Sequence, residues 1–269
     1  RFQLILIHLN YEQQKLDKSK SKLNEYRKLV KSYLKQQQFR NNLKLWSIYA
    51  GFEWKIVGNQ SEGRKTYQMA IQMMVKSTPK QEFLSFVLEY VKLELKIEDL
   101  NNIKEDFFNE KVICDDKFLI NVLLTGALQE PVTQPASNQL GYSYSSVQIL
   151  KAKNFLAKQN DLNSFLCLVL ITYLTNGIKQ ASDLLEEQLA LCDEVKEKQI
   201  YIYYLELLLL NLRRNYGVPL LSVYKVVQRA LERFSYETRF LNLLIHLIQS
   251  NLILYQINVD SLLLEALLE

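Results

Sequence analysis

Apolar residues recur every three or four positions along almost the whole of this 269-residue chain. That spacing places them on one face of an α-helix, whereas a half-buried strand would alternate apolar and polar residues. Glycines stand where several of these segments end, and Pro79 and Pro219 stand near the start of the next. The pattern predicts helices over 2–14, 20–37, 42–57, 61–76, 80–97, 99–110, 115–129, 143–158, 162–175, 178–192, 196–214, 219–234, 237–256 and 259–268.

The chain contains 7 Gly and 4 Pro, whereas average usage would give roughly 19 and 13 at this length. Tight β-hairpins and glycine-rich phosphate loops both depend on glycine, so this composition disfavours both. The segment 129–142 departs from the helical pattern, because it holds two prolines, one glycine and several small polar residues. We expect it to be a loop between an N-terminal helical part, 1–128, and a C-terminal part, 143–269.

Short predicted connections between so many helices favour stacked antiparallel pairs over a single bundle. A period of about 35–40 residues per helix pair is typical of an α-solenoid. We therefore predict an all-α fold in which helix pairs stack into a right-handed superhelix. Since the sequence begins at Arg1 rather than methionine, we expect it to be part of a longer chain.

The formal charge of +4 is distributed unevenly along the sequence. Residues 1–80 carry 16 Lys and Arg against 5 Asp and Glu, and residues 81–269 carry 17 against 24. The stretch 15–44 is the most basic, and within it tyrosines alternate with cations. Such a stretch binds phosphates and stacks bases of RNA, or binds an acidic peptide, or is a solvated helix face. The candidate contacts are Tyr26, Arg27, Lys28, Lys31, Tyr33 and Lys35.

Large and small residues repeat along the chain in a second pattern. Trp46, Tyr49 and Glu53 share one helix face, and a small residue, Ala70, follows where a second helix would cross closely. A buried carboxylate is costly without a partner, so we expect Glu53 to have a structural role, with a Tyr hydroxyl, a free backbone N–H or a basic residue on the next helix as its partner. The full set of repeat positions is Trp46, Tyr49, Glu53, Gly58, Tyr67, Ala70, Tyr90, Glu94, Gly177, Ala181, Tyr204 and Ala230.

The sequence Trp46-Ser-Ile-Tyr49-Ala-Gly-Phe-Glu53, with Pro79 after the second helix, resembles the half-a-tetratricopeptide (HAT) repeat. The chain also resembles the nuclear RNAi-defective (NRDE-type) family in the order of three segments, which are this motif, Phe165–Gly177 and Gln228–Phe234. The resemblance implies a nuclear scaffold with protein partners in RNA processing or RNA silencing, among them an RNA-decay helicase or splicing factors. Direct RNA binding through 15–44 is the alternative function, and a cytoplasmic location is the alternative to the nucleus.

The residues needed for enzyme chemistry are scattered. The two histidines, His8 and His246, lie at opposite ends of the sequence, and the three cysteines are widely spaced. This arrangement favours neither a metal site nor a catalytic triad nor a disulfide framework, and we expect reduced, buried thiols. The apolar runs are too short to span a bilayer. We predict no enzymatic activity, no cofactor, no small-molecule substrate and no membrane partner.

Overall fold

A computed structural model describes residues 2–16, 19–97, 99–103, 107, 111–130, 144–214 and 220–249, and the regular secondary structure within these ranges is helical. The π-helical turn Phe52–Ile56 continues α3, and a 3-10 turn, Leu100–Asn102, follows α5. The helices are α1 (Phe2–Gln14), α2 (Lys20–Leu34), α3 (Leu43–Gly51), α4 (Gln60–Met74), α5 (Lys80–Glu94), α6 (Asp116–Leu128), α7 (Ser146–Leu156), α8 (Leu162–Asn176), α9 (Ile178–Leu189), α10 (Glu194–Arg214), α11 (Leu220–Arg233) and α12 (Thr238–Gln249).

The predicted all-α class is confirmed for these residues, and most predicted helices lie within a few residues of an observed one. The prediction of an α-helix from residue 99 is wrong. There the side chain of Asp99 accepts a hydrogen bond from the backbone N–H of Asn101, Leu100–Asn102 is a 3-10 turn, and Ile103 is extended. Residues 104–106 and 108–110, most of the predicted loop 129–142, and the predicted helix 259–268 lie outside the described residues.

Polar side chains and glycines set the ends of several helices. Asn59 caps α4 and Asp161 caps α8, because each side chain accepts a backbone N–H three residues later, at 3.1 Å and 2.9 Å. Gly58 follows the π-helical turn with φ of +76°, and Gly177 follows α8 with φ of +87°. Side chains other than hydrogen are disfavoured in that conformation, which explains glycine at both positions.

The chain divides into two compact units, one comprising Arg1–Tyr90 and Asn121–Phe155 and the other Val91–Ile120 and Leu156–Glu269. In the first unit α1 packs on α2, α2 on α3, and α3 on α4. The approach of α4 to α3 is close at Gly63, where an added Cβ would lie 3.1 Å from the carbonyl oxygen of Ala50. The buried cluster beside α1, α2 and α3 contains Leu9, Tyr26, Val30, Leu34, Leu45, Tyr49 and Phe52.

In the second unit, α8 packs on α9, α9 on α10, α10 on α11, and α11 on α12. Residues 203–211 of α10 are buried without interruption. Burial on all sides fits a position between neighbouring helices, and α10 has α9 and α11 against it. Among the described helices, none combines the length and the apolar character needed to cross a bilayer.

Candidate functional surfaces

The exposed face of α2, with the residue Lys35 that caps its end, carries three of the predicted contact residues. Lys28, Lys31 and Lys35 are spaced three and four residues apart and are all exposed, so they lie along one side of the helix. The ammonium nitrogen of Lys31 is 5.2 Å from the ring centre of Tyr49 on α3. We call these three residues the lysine stripe.

Arg27, one helical turn before Lys31, points toward the π-helical turn. Its Nε donates to Oε1 of Glu53 at 2.6 Å, and its Nη2 donates to Oε2 at 2.9 Å. Glu53 is 0% exposed and the Arg27 side chain is 28% exposed. The hydrogen bond to Glu53 raises the pKa of Arg27. The buried carboxylate therefore has a basic partner, located on the helix that precedes it in the chain, and Arg27 is engaged inside the unit.

The two tyrosines proposed for base stacking have other contacts. Tyr26 is 2% exposed, and its ring lies 4.7 Å from that of Phe52. Burial raises the pKa of Tyr26 to about 12. The hydroxyl of the half-buried Tyr33 is hydrogen-bonded to Nδ1 of His8 at 3.1 Å. The described structure thus gives Tyr26 no free ring face for a base, which removes it from the set of candidate RNA contacts.

The first repeat positions lie at contacts between helices. Tyr49 and Tyr67 are buried, and the ring of Tyr67 stacks on that of Tyr90 at 4.8 Å. Trp46 is half-buried, and its indole N–H donates to the carbonyl oxygen of Arg40 at 2.8 Å. These residues pack α3, α4 and α5 in the first unit.

The other repeat positions fall into three groups. Glu94 is half-buried at the end of α5, and Gly58 and Gly177 are helix-ending glycines. The remaining positions are buried: Ala70, Ala181, Tyr204 and Ala230. The repeat pairing that these residues predict stays a prediction.

Several polar contacts could not be read from the sequence. Glu89 accepts hydrogen bonds from the hydroxyls of Ser47, at 2.7 Å, and Tyr67, at 3.2 Å. In the second unit Lys92 donates to the buried Glu206 at 2.9 Å. Burial raises the pKa of Glu206, and Lys92 opposes that rise. The partners are separated by 22 to 114 residues in sequence, so helical periodicity carries no information about them.

Another contact in the second unit involves a backbone carbonyl just after the end of α5. Arg213 is 2% exposed, and its Nη1 donates to the carbonyl oxygen of Lys96 at 3.1 Å. Its guanidinium lies 4.3 Å from the ring of Phe107. The cation thus satisfies a carbonyl where α5 ends, which is a structural function.

The described residues contain no cluster of three or more His, Cys, Asp or Glu that could hold a metal ion. Cys167 is buried, and burial raises the pKa of its thiol to about 12; Cys114 and Cys192 are half-buried. The neighbouring carboxylates Asp115 and Asp116 act separately. Asp115 accepts the backbone N–H of Phe118, and Asp116 binds Arg214 through both oxygens.

No protein-family profile matches this chain, and no solved structure matches it significantly. Among curated proteins, the chain is similar to the mouse (Mus musculus) protein described as the nuclear exosome regulator NRDE2, with 37% identity over 79 residues. The match covers 29% of this chain and 7% of the mouse protein. It supports a resemblance to NRDE-type proteins over that segment.

Proposed function

We propose that this protein is a non-catalytic helical-repeat scaffold that binds protein partners in a nuclear RNA-processing, RNA-decay or RNA-silencing complex. The observation that carries the proposal is the 37% identity over 79 residues to a protein described as a nuclear exosome regulator. By the same argument the protein acts in the nucleus, and its partners include an RNA-decay helicase or splicing factors.

The order of packing supports a scaffold. Helices that follow one another in sequence pack on one another within each unit, from α1 to α4 and from α8 to α12. Such local packing is typical of repeat proteins, in which each repeat contacts its neighbours and a broad surface is left for partners. Right-handed stacking of antiparallel HAT-type pairs, divided near 129–142, is the architecture that we propose for it.

Purification of the tagged protein from nuclei, with and without nuclease, tests the proposal. Proteins of an RNA-processing complex should remain bound after nuclease treatment, because a scaffold contacts them directly. An unrelated helical protein with the same tag defines the background. Failure to recover RNA-processing proteins above that background in either condition would refute the scaffold, and recovery only without nuclease would show that RNA tethers them.

A further inference from the structure

The lysine stripe differs from several other cations of the described structure, which are neutralised by carboxylates. On α10, α11 and at the start of α12, arginines bind carboxylates; the salt bridges are Arg214–Asp116, Arg229–Glu186, Arg233–Glu197 and Arg239–Glu237. Within the described structure, the lysine stripe of α2 forms no salt bridge. Its positive charge is therefore available to an external anion.

The spacing of the lysine stripe suits a linear anion. A rise of about 1.5 Å per residue places the Cα atoms of Lys28 and Lys35 roughly 10 Å apart along the helix axis, with Lys31 between them. A row of cations over that distance matches successive charges along a polymer better than a single anion.

The exposed side chains of α2 and of the segment that follows it favour a nucleic acid over a protein. Every exposed side chain that the structure describes between residues 19 and 44 is Lys, Arg, Ser, Asn, Gln or Glu. Glu25 is the one exposed acid among them, and it accepts a hydrogen bond from Ser21 on the same helix. Protein interfaces are depleted in lysine and enriched in aromatic residues and methionine, whereas nucleic-acid interfaces are polar and positively charged.

We propose that the lysine stripe, Lys28, Lys31 and Lys35, binds the phosphate backbone of RNA without preference for base sequence. Tyr26 is buried, so its ring is closed to a base, and the hydroxyl of Tyr33 is hydrogen-bonded to His8; the lysines are the groups left to contact the phosphates. Contacts to phosphate alone carry no sequence information. The inference rests on the proposed function, because it assigns RNA to one surface of a scaffold in an RNA-processing complex.

Fluorescence anisotropy with labelled 20-mers of uridine and of adenosine tests this surface. Three phosphate contacts on a single strand correspond to a slope of about −2 in log affinity against log salt, or roughly a 20-fold loss between 50 and 200 mM. We expect both RNAs to bind alike and the variant K28Q/K31Q/K35Q to lower the magnitude of the slope by about 2. The variant K151Q/K158Q/K179Q removes three other exposed lysines and should retain the wild-type slope.

Equal loss in the two triple variants would overturn the proposal, because total charge would then explain binding. An unchanged slope in K28Q/K31Q/K35Q, or tighter binding of polyglutamate than of RNA, would also overturn it. Circular dichroism of each variant shows whether the helices are retained. The outcome is separable from the scaffold test, since K28Q/K31Q/K35Q should keep those protein partners that resist nuclease.

Discussion

Replacement of Arg27 by methionine should destabilise the protein more than replacement of Glu53 by leucine. The pair shares two short hydrogen bonds, but its members differ in access to water. Without Arg27, the fully buried carboxylate has lost its cation, and breaking a buried pair in this way costs about 3–5 kcal/mol. Without Glu53, the guanidinium is still partly exposed and still donates to Asn24. We expect that loss to cost about 1–3 kcal/mol, as for a charge-assisted hydrogen bond.

Urea unfolding followed by circular dichroism at pH 7 measures these free energies. The double variant R27M/E53L should be more stable than R27M alone, because the unpaired buried charge has been removed. Lys28→Met is the matched control: it changes the next residue of the same helix at an exposed position and should alter stability by no more than about 0.5 kcal/mol. Additive costs in the double variant, or a cost below about 1 kcal/mol for R27M, would refute the reasoning.

Three further predictions concern backbone and charge. Gly63→Ala should destabilise by about 1–3 kcal/mol because its Cβ meets a backbone oxygen, whereas Gly51→Ala, with open space around it, should stabilise by about 0.5–1 kcal/mol in the same denaturation assay. Gly177→Ala should lower stability by about 1–3 kcal/mol, since φ is +87° there, and an unchanged melting temperature would contradict this. Arg229 lowers the pKa of Glu186, so this carboxylate stabilises the fold above its usual pKa and the contribution is lost as pH falls through the lowered value. Glu186→Gln should therefore destabilise at pH 7 and have little effect near pH 3, and an equal effect at both would argue against the ion pair.

Periodicity predicted the helices because burial of one face dominates their formation. The helix predicted from residue 99 was wrong because burial alone produced the same spacing there. Leu100, Ile103 and Phe107 are all buried, and their spacing imitates a helix face, but the cap formed by Asp99 closes a short turn instead. A spacing pattern records which residues are buried, and it does not record the backbone path between them.

The candidate surface was predictable only in part. Charge counting located the basic segment, and the lysine stripe is exposed as such a segment requires. The inward direction of Arg27 depends on where α3 lies beside α2, and Glu53 is 26 residues away in sequence. Cations on one helix differ mainly in their direction around the helix axis. The position of the adjoining helix therefore decides which of them forms an ion pair inside the fold.

The enclosed position of α10 affects how the second unit can diversify. Substitutions between residues 203 and 211 must preserve volume, since each side chain there is buried, and Glu206 must also keep its partner Lys92. In α9 only Ala181 and Leu185 are buried, so most of its positions tolerate change. New recognition properties in this unit can thus arise on α9 and other partly exposed segments, while residues 203–211 of α10 are constrained by their neighbours.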